Sequence, residues 1–342
     1  MTAKKLTTRA RKAKASANEE AAKLLEALKF VAIAQKKAGT PYQTHCVIKD
    51  GYLFGFDGVV TVGTPLNIDL NCCPHTYNLM QALAHCGADL TITNETLNLT
   101  IKSGKYKSVI DCYPIESMVI NAPDEKFVEV TDGFTNGLRL AAKVALNDAA
   151  GTRAILKSVY LTSNVIAATD SFHLIEYWHG VPGIPPVLLP KRTAEIVAGC
   201  TKQLTHIGGS SHSITFHFDD GSYVRSGLID GLYPNYENLL AFDGVALPPP
   251  DDFFDAVKKV SAFNESGKIY MTGGKICSKV TPELGSSFDV DNIPEQAAFN
   301  SNYILDLQEC FSLMAFTKTE RGDFIHFFGD NVRGVMSGMV YD

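Results

Sequence analysis

The sequence predicts an α+β chain of three similar domains in a row, each with two helices packed on antiparallel β-hairpins. A unit of helix, hairpin, helix, hairpin recurs at a nearly constant interval. Its second helix opens at Pro74, Pro190 and Asn300 ("PHTYNLMQAL", "PKRTAEIVAG", "NSNYILDLQEC"), 116 and 110 residues apart. Its first hairpin reaches Asp57, Asp170 and Thr281, 113 and 111 residues apart. Self-similarity at a fixed period sets architecture before any single motif is weighed, and a period this long is a whole domain. Copies one and two also close alike, with "VIDCYP" (109–114) and "LIDGLYP" (228–234). Finally, 342 residues with 45% hydrophobic side chains can build two or three cores.

Taken in order, residues 17–37 place Leu24, Leu28, Val31 and Ile33 on one broad apolar stripe, an amphipathic helix. Strands 45–49 and 52–56 follow, joined at Asp50-Gly51, a strong two-residue hairpin signal. A helix over 75–86 precedes the alternating strands "DLTIT", "TLNLTIK" and "YKSVID". The stretch 121–126 ("NAPDEK") reads as a linker. Copy two runs through helix 134–148, hairpin 158–168, helix 190–199 and strands 213–218 and 222–229, which turn at "DDGS". A second linker, 244–252, holds three consecutive prolines, which continue neither element. Copy three comprises helix 251–264, strands 268–272 and 275–280, helix 301–314 and strands 323–328 and 332–340.

The charge is uneven. The net charge is −6, yet residues 1–37 hold ten Lys/Arg against three Glu, a balance of +7 that leaves −13 for the remainder. An acidic body with a basic arm fits a local contact with a polyanion better than a grip by the whole surface. The arm proper, residues 1–16, reads as a flexible tail, and its composition also fits a cleaved transit peptide. No apolar run reaches the roughly 20 residues that span a bilayer, so no membrane contact is expected. The eight cysteines (46, 72, 73, 86, 112, 200, 277 and 310) contain no CxxC pair. They read as reduced cytosolic thiols. Cys72 and Cys73 lie near His75, but adjacent cysteines bind one tetrahedral ion awkwardly, so no metal is expected.

Nothing assembles a catalytic site. "KSGKYKS" and "ESGKIY" lack the leading glycine and hydroxyl of a phosphate-binding loop, "GGSSH" is no nucleophile elbow, and HExxH is missing. Asp219-Asp220 and Asp251-Asp252 sit in a turn and at a helix start, where capping accounts for them. No enzyme and no cofactor are expected. Two helices per domain cannot bury both faces against one sheet, so one face of each pair looks elsewhere. The polar faces carry Lys29, Lys36, Arg139, Lys143, Lys191, Arg192, Lys258 and Lys259. They could form a shared basic surface, although spacing alone favours reading them as solvated helix faces.

The segment "SVYLTSNVIAATDSFHLIEY", followed by "PPVLLPKRTAEIV" and "SGLIDGLYPNYENLL", resembles the second domain of the bacterial DNA polymerase III beta subunit, the sliding clamp. In that family a strand runs into Ala-Thr-Asp-Gly-His-Arg-Leu, then Val-Pro-Arg-Lys opens a helix, and Leu-Ile-Asp-Gly-x-Phe-Pro-Asp-Tyr closes the domain. Here these read Ala168-Thr169-Asp170-Ser171-Phe172-His173-Leu174, Leu189-Pro190-Lys191-Arg192 and Leu228 to Tyr236. Copy three is similar to the family's last domain, with "FNSNYILDLQECF" and a "GVMSGM" tail. The resemblance implies clamp domains over 17–123, 124–246 and 247–342, to which the basic arm 1–16 is an addition that departs from the family.

The resemblance further implies a head-to-tail homodimer closed into a ring around double-stranded DNA. The eight cations named above would meet phosphates without reading sequence. A cleft for a short peptide of the DNA polymerase or clamp loader would be lined by Ile155, Thr169, Ser171, His173, Leu174, Pro234, Asn238, Leu239, Val335, Met336 and Met339. The dimer would close where the edge strand bearing Ile110 meets the helix end bearing Phe263. The protein would be a processivity factor acting in the cytoplasm of a bacterial or phage-infected cell. Gly-His-Arg becomes Ser171-Phe172-His173 and the tail proline becomes Ser337-Gly338, departures expected to reshape the cleft and in keeping with a bacteriophage origin. Open alternatives are a scaffold or binding protein using this fold without a ring, and a DNA-processing enzyme.

Overall fold

The computed structural model describes residues 21–87, 89–95, 97–147 and 153–341. The arm 1–16 and the first residues of the expected helix 17–37 lie outside the described residues. The chain divides into two compact units, one of residues up to Val130 with Cys200–Gly227, the other of Thr131–Gly199 with the residues from Leu228 on.

The first unit opens with helix α1 (21–32), whose Leu24, Leu28 and Val31 are all but fully buried, as the apolar stripe predicts, but it ends short of the expected residue 37 and leaves Ile33, past its end, 38% exposed. A single turn, α2 (Pro41–Thr44), leads into β1 (Val47–Lys49), β2 (Tyr52–Phe56) and β3 (Val60–Pro65). Asp50 and Gly51 join β1 to β2 with φ of 52° and 75°, both left-handed, as a tight hairpin needs. Helix α3 (Thr76–Ala84) is capped by His75 and followed by β4 (Leu90–Glu95), β5 (Asn98–Ser103) and β6 (Tyr106–Asp111), a separate three-stranded sheet. Strand β7 (Lys126–Glu129) then adds an edge to a larger sheet.

The second unit begins with α4 (Phe134–Val144), β8 (Ser158–Leu161), β9 (Val165–Thr169), β10 (His173–Trp178), β11 (Val187–Pro190) and α5 (Lys191–Gly199). The chain returns to the first unit for β12 (Leu204–Gly209), β13 (Ser213–Phe218) and β14 (Tyr223–Gly227). These complete a seven-stranded sheet of order β1-β2-β3-β14-β13-β12-β7, in which Thr61 of β3 faces Arg225 of β14.

Back in the second unit come α6 (Phe253–Ser261), β15 (Lys268–Thr272), β16 (Lys275–Cys277), β17 (Ser287–Asp289), β18 (Gln296–Asn300) and α7 (Ser301–Asp306). Strands β19 (Leu313–Thr319), β20 (Gly322–Gly329) and β21 (Val332–Ser337) close the chain. They extend a second seven-stranded sheet, β11-β8-β9-β10-β21-β20-β19, while β17-β16-β15-β18 form a sheet of four. The predicted mix of helices and antiparallel sheets is therefore present, and sequence copies share sheets: β10 of the second copy pairs with β21 of the third.

Three further expectations change. The helix expected over 301–314 stops at Asp306, because Leu313 to Thr319 pair residue by residue with Phe328 to Gly322 of β20. The helix expected over 134–148 stops at Val144, where Ala145 turns to ψ 141°. The stretch 121–126 is no loose linker. The Asp124 carboxylate accepts hydrogen bonds from Ser213 Oγ and Thr215 Oγ1 at 2.8–3.0 Å and pairs with Arg225, pinning the segment to β13.

A candidate peptide cleft and the cation-bearing helices

The repeat is visible in its hydrogen bonds. Asp57 Oδ1 accepts from the amides of Val59 and Val60 at 2.9 and 2.8 Å, and Asp170 Oδ1 accepts from those of Phe172 and His173 at 2.8 and 2.9 Å. Both carboxylates hold the turn that follows a strand, an Asx arrangement. Asp170 does more. Its Oδ1 also receives His173 Nδ1 at 2.8 Å, its Oδ2 receives the Tyr303 hydroxyl at 3.0 Å, and the Tyr303 ring stacks on His173 with centroids 4.0 Å apart. Burial pushes the Asp170 carboxyl up, but the His173 hydrogen bond and charge with two backbone amides outweigh it and leave it below the usual carboxylate range. Ser171, at the apex, takes φ 85°.

This turn forms one wall of a cavity of about 480 Å³. Thr169, Ser171, His173, Leu174, Asn238, Leu239 and Val335, all expected from the resemblance, line it together. The register explains part of this: Leu174 of β10 lies opposite Val335 of β21, so both side chains meet on one face. Sequence reasoning missed Phe172, Ala241, Phe324, His326, Ser337 and the β19–β20 turn with Glu320 and Arg321. The signal was there in period two, since Phe324 pairs with Ser337 and His326 with Val335.

Four expected cleft residues are not brought to the cavity lining. Met336, 1% exposed, alternates with Val335 and Ser337 and so points to the opposite face of the sheet. Ile155 packs near Gly231 and is half-buried, Pro234 is exposed elsewhere on its loop, and Met339 is held by its amide on the Ala298 carbonyl at 2.7 Å.

The expected phosphate-binding cations have varied surroundings. Lys29 on α1 and Lys36 beyond its end are exposed, as is Lys258 on α6. Lys259 pairs with Asp255 at 2.6 Å and lies over the Phe288 ring. Lys191 points inward, its Nζ donating to the Ala145 carbonyl and Asn147 Oδ1 at 2.8 and 2.7 Å, which closes the C-terminus of α4. Arg192 beside it on α5 is half-buried. Arg139 and Lys143, one turn apart on α4, both donate to Glu309 at 2.6–2.8 Å. The Arg139 hydrogen bonds, against an opposing effect of burial and with help from Lys143, bring the Glu309 carboxyl down to about 2.

Of the two residues expected at a dimer contact, Phe263 is 70% exposed just past α6, whereas Ile110 is 3% exposed and faces its own core. The exposed apolar residue of edge strand β6 is its neighbour Val109, at 53%. All eight cysteines are free thiols. Among the described residues no group of three or more His, Cys, Asp or Glu is placed to hold a metal ion, and no helix is long and apolar enough to cross a membrane.

No family model and no curated protein sequence matches the chain. Solved structures do. The chain is similar to a DnaN sliding clamp (DNA polymerase III subunit beta) from Bartonella birtlesii bound to griselimycin, with TM-score 0.77 and 18% identity over 94% of this chain and 98% of that one. A DNA polymerase sliding clamp from Bacillus subtilis matches with TM-score 0.77 and 16% identity over 94% and 97%. A beta clamp from Helicobacter pylori bound to a DNA ligase peptide matches with TM-score 0.77 and 12% identity over 94% and 98%. The fold is that of the sliding clamps.

Proposed function

We propose that this chain is a DNA sliding clamp, a non-enzymatic processivity factor that encircles duplex DNA and tethers a replicative DNA polymerase. The observation that carries the reading is the cavity of about 480 Å³ on the β10–β21 junction, where seven side chains marked by sequence resemblance alone converge. An open, mostly apolar concavity with a polar rim suits an extended peptide with apolar anchors. The Helicobacter pylori clamp of the same fold is a structure with a DNA ligase peptide bound. In this reading the chain has clamp domains over 17–123, 124–246 and 247–342, works as a homodimer, and takes peptides of the polymerase and clamp loader at the cleft. It acts in the cytoplasm of a bacterial or phage-infected cell. Tethering would raise the polymerase's effective concentration at the primer end without any chemistry by the clamp itself.

The test is topological. Loaded onto nicked circular DNA, the protein should stay bound through a high-salt wash and leave when the circle is cut. Release from the intact circle at the same rate as from the linear form would overturn the reading in favour of a clamp-fold protein that closes no ring.

A further inference from the structure

We propose that Glu309 is a built-in competitor for DNA phosphate, holding Arg139 and Lys143 in the geometry of an oxyanion site and yielding them when a duplex arrives. The proposal rests on the reading that α4 faces DNA, and it adds how that face is regulated.

The contacts are those of a filled anion site. Arg139 grips the carboxylate with both arms of its fork, Nη1 to Oε1 at 2.7 Å and Nη2 to Oε2 at 2.6 Å. Lys143 Nζ donates to the same Oε1 at 2.8 Å. A phosphodiester offers the same pair of anionic oxygens, and the guanidinium fork fits either group. Further bonds help the carboxylate hold the two cations in place. Asn136 Oδ1 accepts from Arg139 Nε and Nη2 at 3.2 and 2.7 Å, and the Asp306 carbonyl accepts from Lys143 Nζ at 2.8 Å.

Glu309 is the separable member. It comes from the single 3-10 turn Gln308–Cys310 after α7, not from α4, and its side chain is 44% exposed. Two cations facing one carboxylate leave a surplus of one positive charge to attract a phosphate. The carboxylate keeps both side chains extended when the phosphate departs. Exchange between a resident carboxylate and successive phosphates would keep each DNA contact weak, as sliding demands.

The experiment is a duplex-binding salt titration of full-length protein by fluorescence anisotropy, comparing wild type, Glu309→Gln, Arg139→Ala with Lys143→Ala, and the triple variant. A displaced carboxylate takes up a counterion, so its removal should steepen the log affinity against log salt slope by about one and tighten binding roughly tenfold at low salt. The effect should vanish in the triple variant. Thermal melts check that each variant is folded. Equal affinity and slope for Glu309→Gln and wild type, with weaker binding by Arg139→Ala and Lys143→Ala, would overturn the proposal while leaving the α4 reading intact. Unchanged binding by the double variant would instead overturn the α4 reading, and the proposal with it.

Discussion

At Asp170 one carboxylate ties the turn after β9 to the hydroxyl of Tyr303 on α7. Its lowered carboxyl means that folding favours the ionised form. The stabilisation is then complete above the ordinary carboxylate pKa of about 4 and fades as pH falls through the lower folded value. Asp170→Asn should lower the urea midpoint at pH 7, and the gap to wild type should narrow steadily below about pH 4. A gap of constant size across that range would show that the charge contributes nothing. Leu239, 49% exposed on the cleft wall, gives a cleaner probe of binding than the buried Leu174. Leu239→Asp should weaken a polymerase-derived peptide by about tenfold or more, the scale of one lost anchor, with an unchanged melting temperature. Equal affinity would remove Leu239 from the site. Residue-level legibility failed where alternation was not applied. Mapping by resemblance named Val335 and Met336 together, but adjacent strand residues face opposite sides, and a one-residue shift exchanges the faces.

Among the elements, the hairpin announced by turn chemistry was readable and the buried strand that follows it was not. Asp50-Gly51 marked β1–β2, whereas β3 has five of six residues buried and so lacks the polar alternation that identifies a half-exposed strand. The helix expected over 301–314 shows the converse. Ile304, Leu307, Cys310 and Phe311 keep a helical spacing, yet β20 and the bridge between Leu247 and Met314 draw the chain into a strand from Leu313. Tertiary pairing outweighed local periodicity there. The paired Asx turns give an element-scale prediction. Asp57→Ala leaves the Val59 and Val60 amides without their acceptor, one of them buried, and should cost about 1–3 kcal/mol in denaturant unfolding. No loss would mean that the β2–β3 turn forms without the carboxylate.

For the whole molecule, the threefold period was the most readable feature, because it summed many weak local signals over more than a hundred residues. Contacts with a second copy leave no such trace in one sequence, and the expected pairing of Ile110 with Phe263 illustrates why. The sequence marks β6 as apolar at its edge without saying which of two adjacent residues, Val109 or Ile110, looks outward. The structure turns Ile110 inward and leaves Val109 and Phe263 as exposed apolar side chains on an edge strand and past a helix end. An uncovered edge strand invites pairing with another chain. A closed ring would use that edge and bury both side chains at the seam. Phe263→Asp and Val109→Asp would each place an unpaired carboxylate there, a burial the interface cannot compensate. Either variant should sediment as a 37.2 kDa monomer at micromolar concentration, where wild type should sediment at about twice that mass. Because both side chains are solvent-exposed in the single chain, each variant should keep its melting temperature under conditions where both proteins are monomeric. A wild-type monomer at those concentrations would count against the ring, and a dimer unaffected by both substitutions would move the interface to another edge.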